Sequence, residues 1–113
     1  MTKMLTQLNC KACSGDAKKL SDDHAAKLLE QLPDWKIADG KLKRTFKFKN
    51  YYESMAFVNA TAWISHHEDH HPDMEVGYNR VTMYYITHSA GGLTENDFIC
   101  AAKMDALLPV PQV

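Results

Sequence analysis

Cysteine, proline and glycine are all scarce in this 113-residue chain, at three, four and five residues. The cysteines are Cys10, Cys13 and Cys100. A tetrahedral zinc site built from two CxxC pairs is therefore excluded, since Cys10 and Cys13 form one pair and there is no second. A redox CxxC normally opens a helix after a strand, and no strand signal precedes Cys10. The expected state is a set of reduced thiols on an N-terminal extension, with a metal shared between subunits as the alternative. No stretch approaches the roughly 20 apolar residues of a membrane-spanning helix. The opening MTKMLTQLNCKACSG lacks the apolar run of a signal peptide. Leu8-Asn9-Cys10 resembles a lipoprotein cleavage site, but what precedes it is too short and polar. A cytoplasmic location is expected. Charge of one sign is also missing: 13 Lys and Arg against 14 Asp and Glu give a net charge of -1. That leaves no basic field for nucleic acid and no expectation of a membrane partner. The run Lys41, Lys43, Arg44, Lys47, Lys49 is basic, but apolar residues interrupt it, and it is expected to form the wet face of a strand.

What is present is an ordinary globular composition, 45% hydrophobic and 24% charged, in a chain of single-domain length. Residues 1–20 are polar and are expected to form a loosely packed extension, with the domain occupying residues 21–113. Ser21 predicts a helix N-cap, followed by Ala25, Leu28, Leu29 and Leu32 at helical spacing and by Pro33 as a stop. Trp35 to Ala38 predicts a short strand, Asp39-Gly40 a tight turn, and Leu42 to Lys49 a second strand with Leu42, Phe46 and Phe48 on its buried side. Asn50 and Glu53 predict a capping box for a second helix. Its inner face is expected to carry Tyr51, Met55, Val58 and Ala62, with Phe57 and Ile64 flanking. Pro72 limits that helix. Met74–Tyr78 and Arg80–His88 predict two more strands. Thr94 and Asp97 open a third helix, with Phe98, Ala101, Ala102, Leu107 and Leu108 buried. Trp35 and Trp63 are expected in the core, and Tyr84 and Tyr85 as sheet residues. The predicted fold class is α+β: a mostly antiparallel four-stranded sheet, order αββαββα, with three helices on one face. Its open edges invite pairing with another subunit.

Five of the six histidines fall between positions 66 and 88: His66, His67, His70, His71 and His88. His24, near the start of the first helix, is expected on the surface. The segment Ser65-His66-His67-Glu68-Asp69-His70-His71-Pro72 admits three readings. It is a polar helix end without function, or a metal site in which His66 and His70 share a helix face, or an acid–base site. HExxH is absent, which weakens the metal reading. Imidazole gives and takes protons near neutral pH. Two such groups can act together, one giving a proton to a leaving group and the other taking one from an adjacent atom. His70 at a helix-to-strand corner and His88 at a strand end are placed to flank one flat substrate.

Asp69-His70-His71-Pro72, Tyr78-Asn79-Arg80-Val81, Thr87-His88 and Gly92-Leu93-Thr94-Glu95-Asn96-Asp97, together with Leu32-Pro33-Asp34-Trp35 and Phe46-Lys47-Phe48, resemble pterin-4a-carbinolamine dehydratase over residues 21–108. The resemblance implies dehydration of 4a-hydroxytetrahydropterin to quinonoid dihydropterin, which recycles the cofactor of aromatic amino acid hydroxylases such as phenylalanine hydroxylase. It implies catalytic roles for His70, His71 and His88, the first and last as the acid–base pair and His71 as the group that orients the pterin. Asp69, Thr87 and Ser89 would line the pocket with them. His66 and Asp97 would assist, Asp97 also as a helix cap. No metal and no cofactor is implied, and a homodimer or homotetramer is expected. A transcription-cofactor type of binding role is the alternative, since some animal members have one. Two departures stand out: His66 occupies a position that is often acidic in the family, and Met74 one that is commonly aromatic.

Overall fold

A computed structural model describes residues 4–11 and 17–109. After a 3-10 turn at Leu5–Gln7 the elements are α1 (Asp22–Leu29), β1 (Lys36–Ala38), β2 (Lys41–Lys47), α2 (Tyr51–Glu68), β3 (Asp73–Val76), β4 (Arg80–Tyr85), a 3-10 turn (His88–Ala90) and α3 (Glu95–Asp105). The four strands form one antiparallel sheet in the order β1-β2-β4-β3. The α+β architecture and the element order are those expected.

Local chemistry explains most boundaries. Ser21 caps α1 by accepting the His24 amide, and His24 itself is exposed. Asp39 and Gly40 both take positive φ, 53° and 75°, which a two-residue hairpin turn with the right twist requires. Asn50 caps α2 by accepting from the Glu53 amide at 3.0 Å, while the Glu53 carboxylate reaches back to the Lys49 amide at 2.8 Å. The cap thus extends one residue further upstream than the standard box.

The central pair β2–β4 sets the core. Its register faces Leu42 with Tyr85 and Phe46 with Val81. Val81, Met83, Tyr85 and Leu42 are fully buried, and Phe46 sits 4.5 Å from Phe57 of α2, centroid to centroid. Each such side chain stabilises the fold by roughly 1.5–3 kcal/mol through burial. On the other face Thr45 and Thr82 pair their hydroxyls at 2.9 Å.

Several expectations are corrected. Arg44 does not join the wet face of β2. Strand alternation puts it with Leu42 and Phe46, where its guanidinium lies 4.3 Å from the Phe46 ring and bonds Asp105 at 2.6 Å. The inner face of α2 is Ser54, Phe57, Thr61, Ile64 and Glu68, not the stripe through Tyr51 and Ala62, both exposed. Three of those five inner residues are polar, so the apolar pattern points the wrong way. Trp35 is in the core, but Trp63 is 69% exposed and stacks on His67. β4 stops at Tyr85, short of His88, because the chain turns into the 3-10 segment. Leu107 and Leu108 lie beyond α3, half-buried.

Most of the described part of residues 1–20 is exposed, but Leu5 anchors it to the domain. Leu5 is 2% exposed, its amide donates to Gln31 Oε1 at 3.1 Å, and Lys103 Nζ donates to the Thr6 carbonyl at 3.2 Å. Cys13 lies outside the described residues.

Candidate active site

Three of the clustered histidines arrive at one place by three backbone devices. At the end of α2, Asp69 takes the left-handed conformation (φ 52°), and the His70 amide turns back to the Ser65 carbonyl at 3.1 Å. The helix therefore ends in a sharp corner that carries His70 and His71 away from its axis. Pro72, which is buried, then leads into β3. On the far side, Thr87 and Gly92 form an antiparallel bridge, with amide–carbonyl distances of 3.1 and 3.3 Å. That bridge closes a small loop which presents His88 and Ser89.

Between corner and loop lies a cavity of about 230 Å³ lined by Asp69, His70, His71, Asp73, Tyr84, Ile86, Thr87, His88 and Ser89. All six residues expected along the pocket reach it. His66 and His67 do not line it; both are exposed on α2. His66 is thus exposed and His70 buried, so the HxxxH pair does not share a face. Among the described residues no three His, Cys, Asp or Glu side chains are grouped to hold a metal ion.

His70 is the most constrained of the three. Its Nε2 is 2.6 Å from Asp97 Oδ1, and its ring stacks on Tyr85 at 5.4 Å and 20°. A carboxylate only accepts, so Nε2 carries the proton and donates. Asp97 is fully buried and its second oxygen, Oδ2, accepts from the Thr87 hydroxyl at 2.9 Å and the Thr94 amide at 2.9 Å. The Thr87 and Thr94 hydroxyls are themselves 2.8 Å apart. One carboxylate thus closes the N-terminus of α3 and aims the His70 ring, and the cap read from sequence is half of its work. Thr87 reaches the cavity wall, but its hydroxyl faces this network.

His71 is exposed, and its Nδ1 donates to the Pro72 carbonyl at 3.1 Å. His88 and Ser89 are exposed on the loop.

Asp73, Tyr84 and Ile86 also line the cavity and were not singled out from the sequence. The signal was there: Tyr84 and Ile86 share a strand face by alternation, and Asp73 pairs with Tyr84 in the sheet register. Tyr84 donates to Glu75 at 2.5 Å, and this bond pushes its phenol pKa up. Tyr85 is pushed far up, first by burial and then by the adjacent Cys100, so a neutral ring lies under His70.

A four-stranded sheet with helices on one face thus carries a small cleft lined by three imidazoles, with the buried Asp97 carboxylate behind one of them. The family model of pterin 4 alpha carbinolamine dehydratase matches residues 18–107, and the chain belongs to that family. It is 58% identical over 105 residues to a protein of Nitrosomonas eutropha, covering 92% of this chain and 93% of that one. It is 60% identical over 104 residues to one of Nitrosomonas europaea, covering 91% and 92%. Both are provisionally named pterin-4-alpha-carbinolamine dehydratase. Among solved structures, a transcriptional coactivator/pterin dehydratase from Brucella melitensis superposes with TM-score 0.77 at 34% identity, covering 80% of this chain and 98% of that one. A pterin dehydratase-like RuBisCO assembly factor of the alpha-carboxysome gives 0.55 at 26%, covering 68% and 89%.

Proposed function

We propose that the protein dehydrates 4a-hydroxytetrahydropterin to quinonoid dihydropterin by histidine acid–base catalysis. The observation that carries this reading is the convergence of His70, His71 and His88 on one cavity, with the His70 ring held by Asp97. A bicyclic pterin is flat, and the two chain segments that bring the imidazoles both line the cavity. His70 and His88 are the acid–base pair. One protonates the hydroxyl on C4a as the C–O bond breaks, the other takes the proton from the neighbouring ring nitrogen, and water leaves. His71 orients the pterin, and Asp69 and Ser89 contact its edge. Asp97 and Thr87 act through His70. His66 stands apart from the cavity and has the weakest claim to an assisting part.

In this reading the enzyme works in the cytoplasm, needs no metal or cofactor, and returns the pterin spent by aromatic amino acid hydroxylases such as phenylalanine hydroxylase. It works as a homodimer or homotetramer: Tyr51, Tyr52 and Trp63 leave the outer side of α2 unusually aromatic. The test is direct. Carbinolamine is generated by a pterin-dependent hydroxylase, and its decay is followed by absorbance with and without the protein. Accelerated decay supports the reading; decay at the uncatalysed rate at micromolar protein would defeat it.

A further inference from the structure

Two thiols outside the cavity lie closer together than any role in pterin chemistry requires. Cys10 Sγ and Cys100 Sγ are 3.4 Å apart, although 90 positions separate them in the chain. Cys100 is fully buried in α3 and Cys10 half-buried on the segment before α1. The neighbourhood is stitched together by directional bonds. The Cys10 amide donates to Glu68 Oε1 at 2.8 Å. The Lys11 amide donates to Asn96 Oδ1 at 2.9 Å, and Asn96 Nδ2 returns a bond to the Lys11 carbonyl at 2.8 Å. Cys10 Sγ also lies 3.7 Å from the Asn96 carbonyl. The sulfurs are therefore held face to face by backbone anchors on both sides. A disulfide needs them about 1.4 Å nearer, and Cys10 lies on a non-helical segment. Two small residues filling a gap would need neither the anchors nor the sulfur–sulfur contact.

We propose that Cys10 and Cys100 are a reversible redox modification site, oxidised by small-molecule disulfides to an intramolecular bond that fastens the N-terminal segment to α3. The half-exposed Cys10 meets the oxidant first. Its thiolate attacks one sulfur of RSSR, forming a mixed disulfide and releasing one thiol. The Cys100 thiolate then attacks the Cys10 sulfur and displaces the second thiol. Two protein S–H bonds are lost, one S–S bond forms, and the two protons and two electrons leave on two RSH molecules; excess thiol reverses the sequence. The Cys10 thiol is pushed far up, first by its hydrogen bond to Cys100 and then by burial. A thiol held protonated in this way is a poor nucleophile, and exchange is slow. The position of equilibrium, rather than its speed, is what an experiment reads.

The bond would close a loop spanning 90 positions between the end joined to Glu68 and the helix that bears Asp97. It restricts the unfolded chain far more than the folded one. The test uses the full chain equilibrated against defined ratios of oxidised to reduced glutathione, quenched with acid, alkylated, digested and read by mass spectrometry. Expected are a peptide linking Cys10 to Cys100 in a monomeric band, its loss on adding dithiothreitol, and a urea midpoint higher by on the order of 1 M in the oxidised form. Cys13→Ser keeps both results and Cys10→Ser abolishes both. Cys10 takes the substitution because Cys100 is wholly enclosed, and changing it risks the fold. A Cys10–Cys13 bond, a link between chains, a lasting mixed disulfide at Cys10, no bond at any ratio, or a bonded protein with an unchanged midpoint overturns the proposal.

Discussion

Asp97 Oδ1 stands 2.6 Å from His70 Nε2, while the same carboxylate's Oδ2 receives the Thr94 amide that opens α3. Asp97→Asn separates these two tasks. The amide oxygen satisfies the Thr87 and Thr94 donors, and the amide nitrogen then faces Nε2 and forces the His70 ring into its other tautomer. The expected result is a folded protein with a midpoint close to wild type and a dehydration rate lower by roughly 10²-fold. Rate measurements paired with nitrogen NMR of the ring check both halves. An undiminished rate with a switched tautomer contradicts the role given to the ring.

His70→Ala and His88→Ala are each expected to slow dehydration by roughly 10²-fold or more, the scale of one acid–base group. His71→Ala is expected to raise KM more than it lowers kcat, as loss of an orienting contact does. Steady-state kinetics on freshly generated carbinolamine separate the cases. Full activity in both the His70 and His88 variants would remove them from the mechanism.

Thr87→Val keeps the shape of a residue that is 2% exposed but deletes the hydroxyl donor to Asp97 and the partner of Thr94. Leaving buried acceptors short of a bond costs about 1–3 kcal/mol. Urea titration should show that loss, accompanied by a slower rate because Asp97 is less firmly placed. A neutral effect on stability would mean that the network tolerates the missing donor.

Asp105 gives a pH-dependent prediction. Its pKa is raised in the folded protein, first by burial, while the Trp35 indole and Arg44 pull it down. A carboxyl with a raised folded pKa adds stability below its unfolded value and loses that contribution as pH rises through the folded one. Arg44→Met keeps an apolar stem over Phe46 but leaves the Asp105 charge less well offset. The expected cost is about 1–3 kcal/mol at neutral pH. It should shrink in acid, where the carboxyl, raised above the ordinary carboxylate range, takes up its proton. Urea midpoints of wild type and variant at both pH values measure this, and a pH-independent difference would place the effect elsewhere.

Much of the fold was legible because its signals are local. Ser21, Asn50 and Thr94 as caps, and Asp39-Gly40 as a turn, act within four residues of themselves. The face of α2 was not legible. Ser54, Thr61 and Glu68 turn inward because Tyr78, Met74 and Cys10 offer them partners, and nothing near them in the chain announces that. The same division holds for the candidate site. The histidine cluster named the corner and the loop, and a family likeness named six of the residues that line the cavity, but not Asp73, Tyr84 or Ile86. The stacking of Tyr85 under His70, the second task of Asp97 and the pairing of Arg44 with Asp105 depend on contacts across the sheet and between distant elements.

The shared carboxylate at position 97 links two properties usually acquired separately. A refolding chain whose final helix has not yet docked lacks the group that aims His70, however complete its sheet. Regain of turnover should therefore lag behind regain of sheet signal and coincide with closure of that last helix, which would make enzymatic assay a reporter of the end of folding.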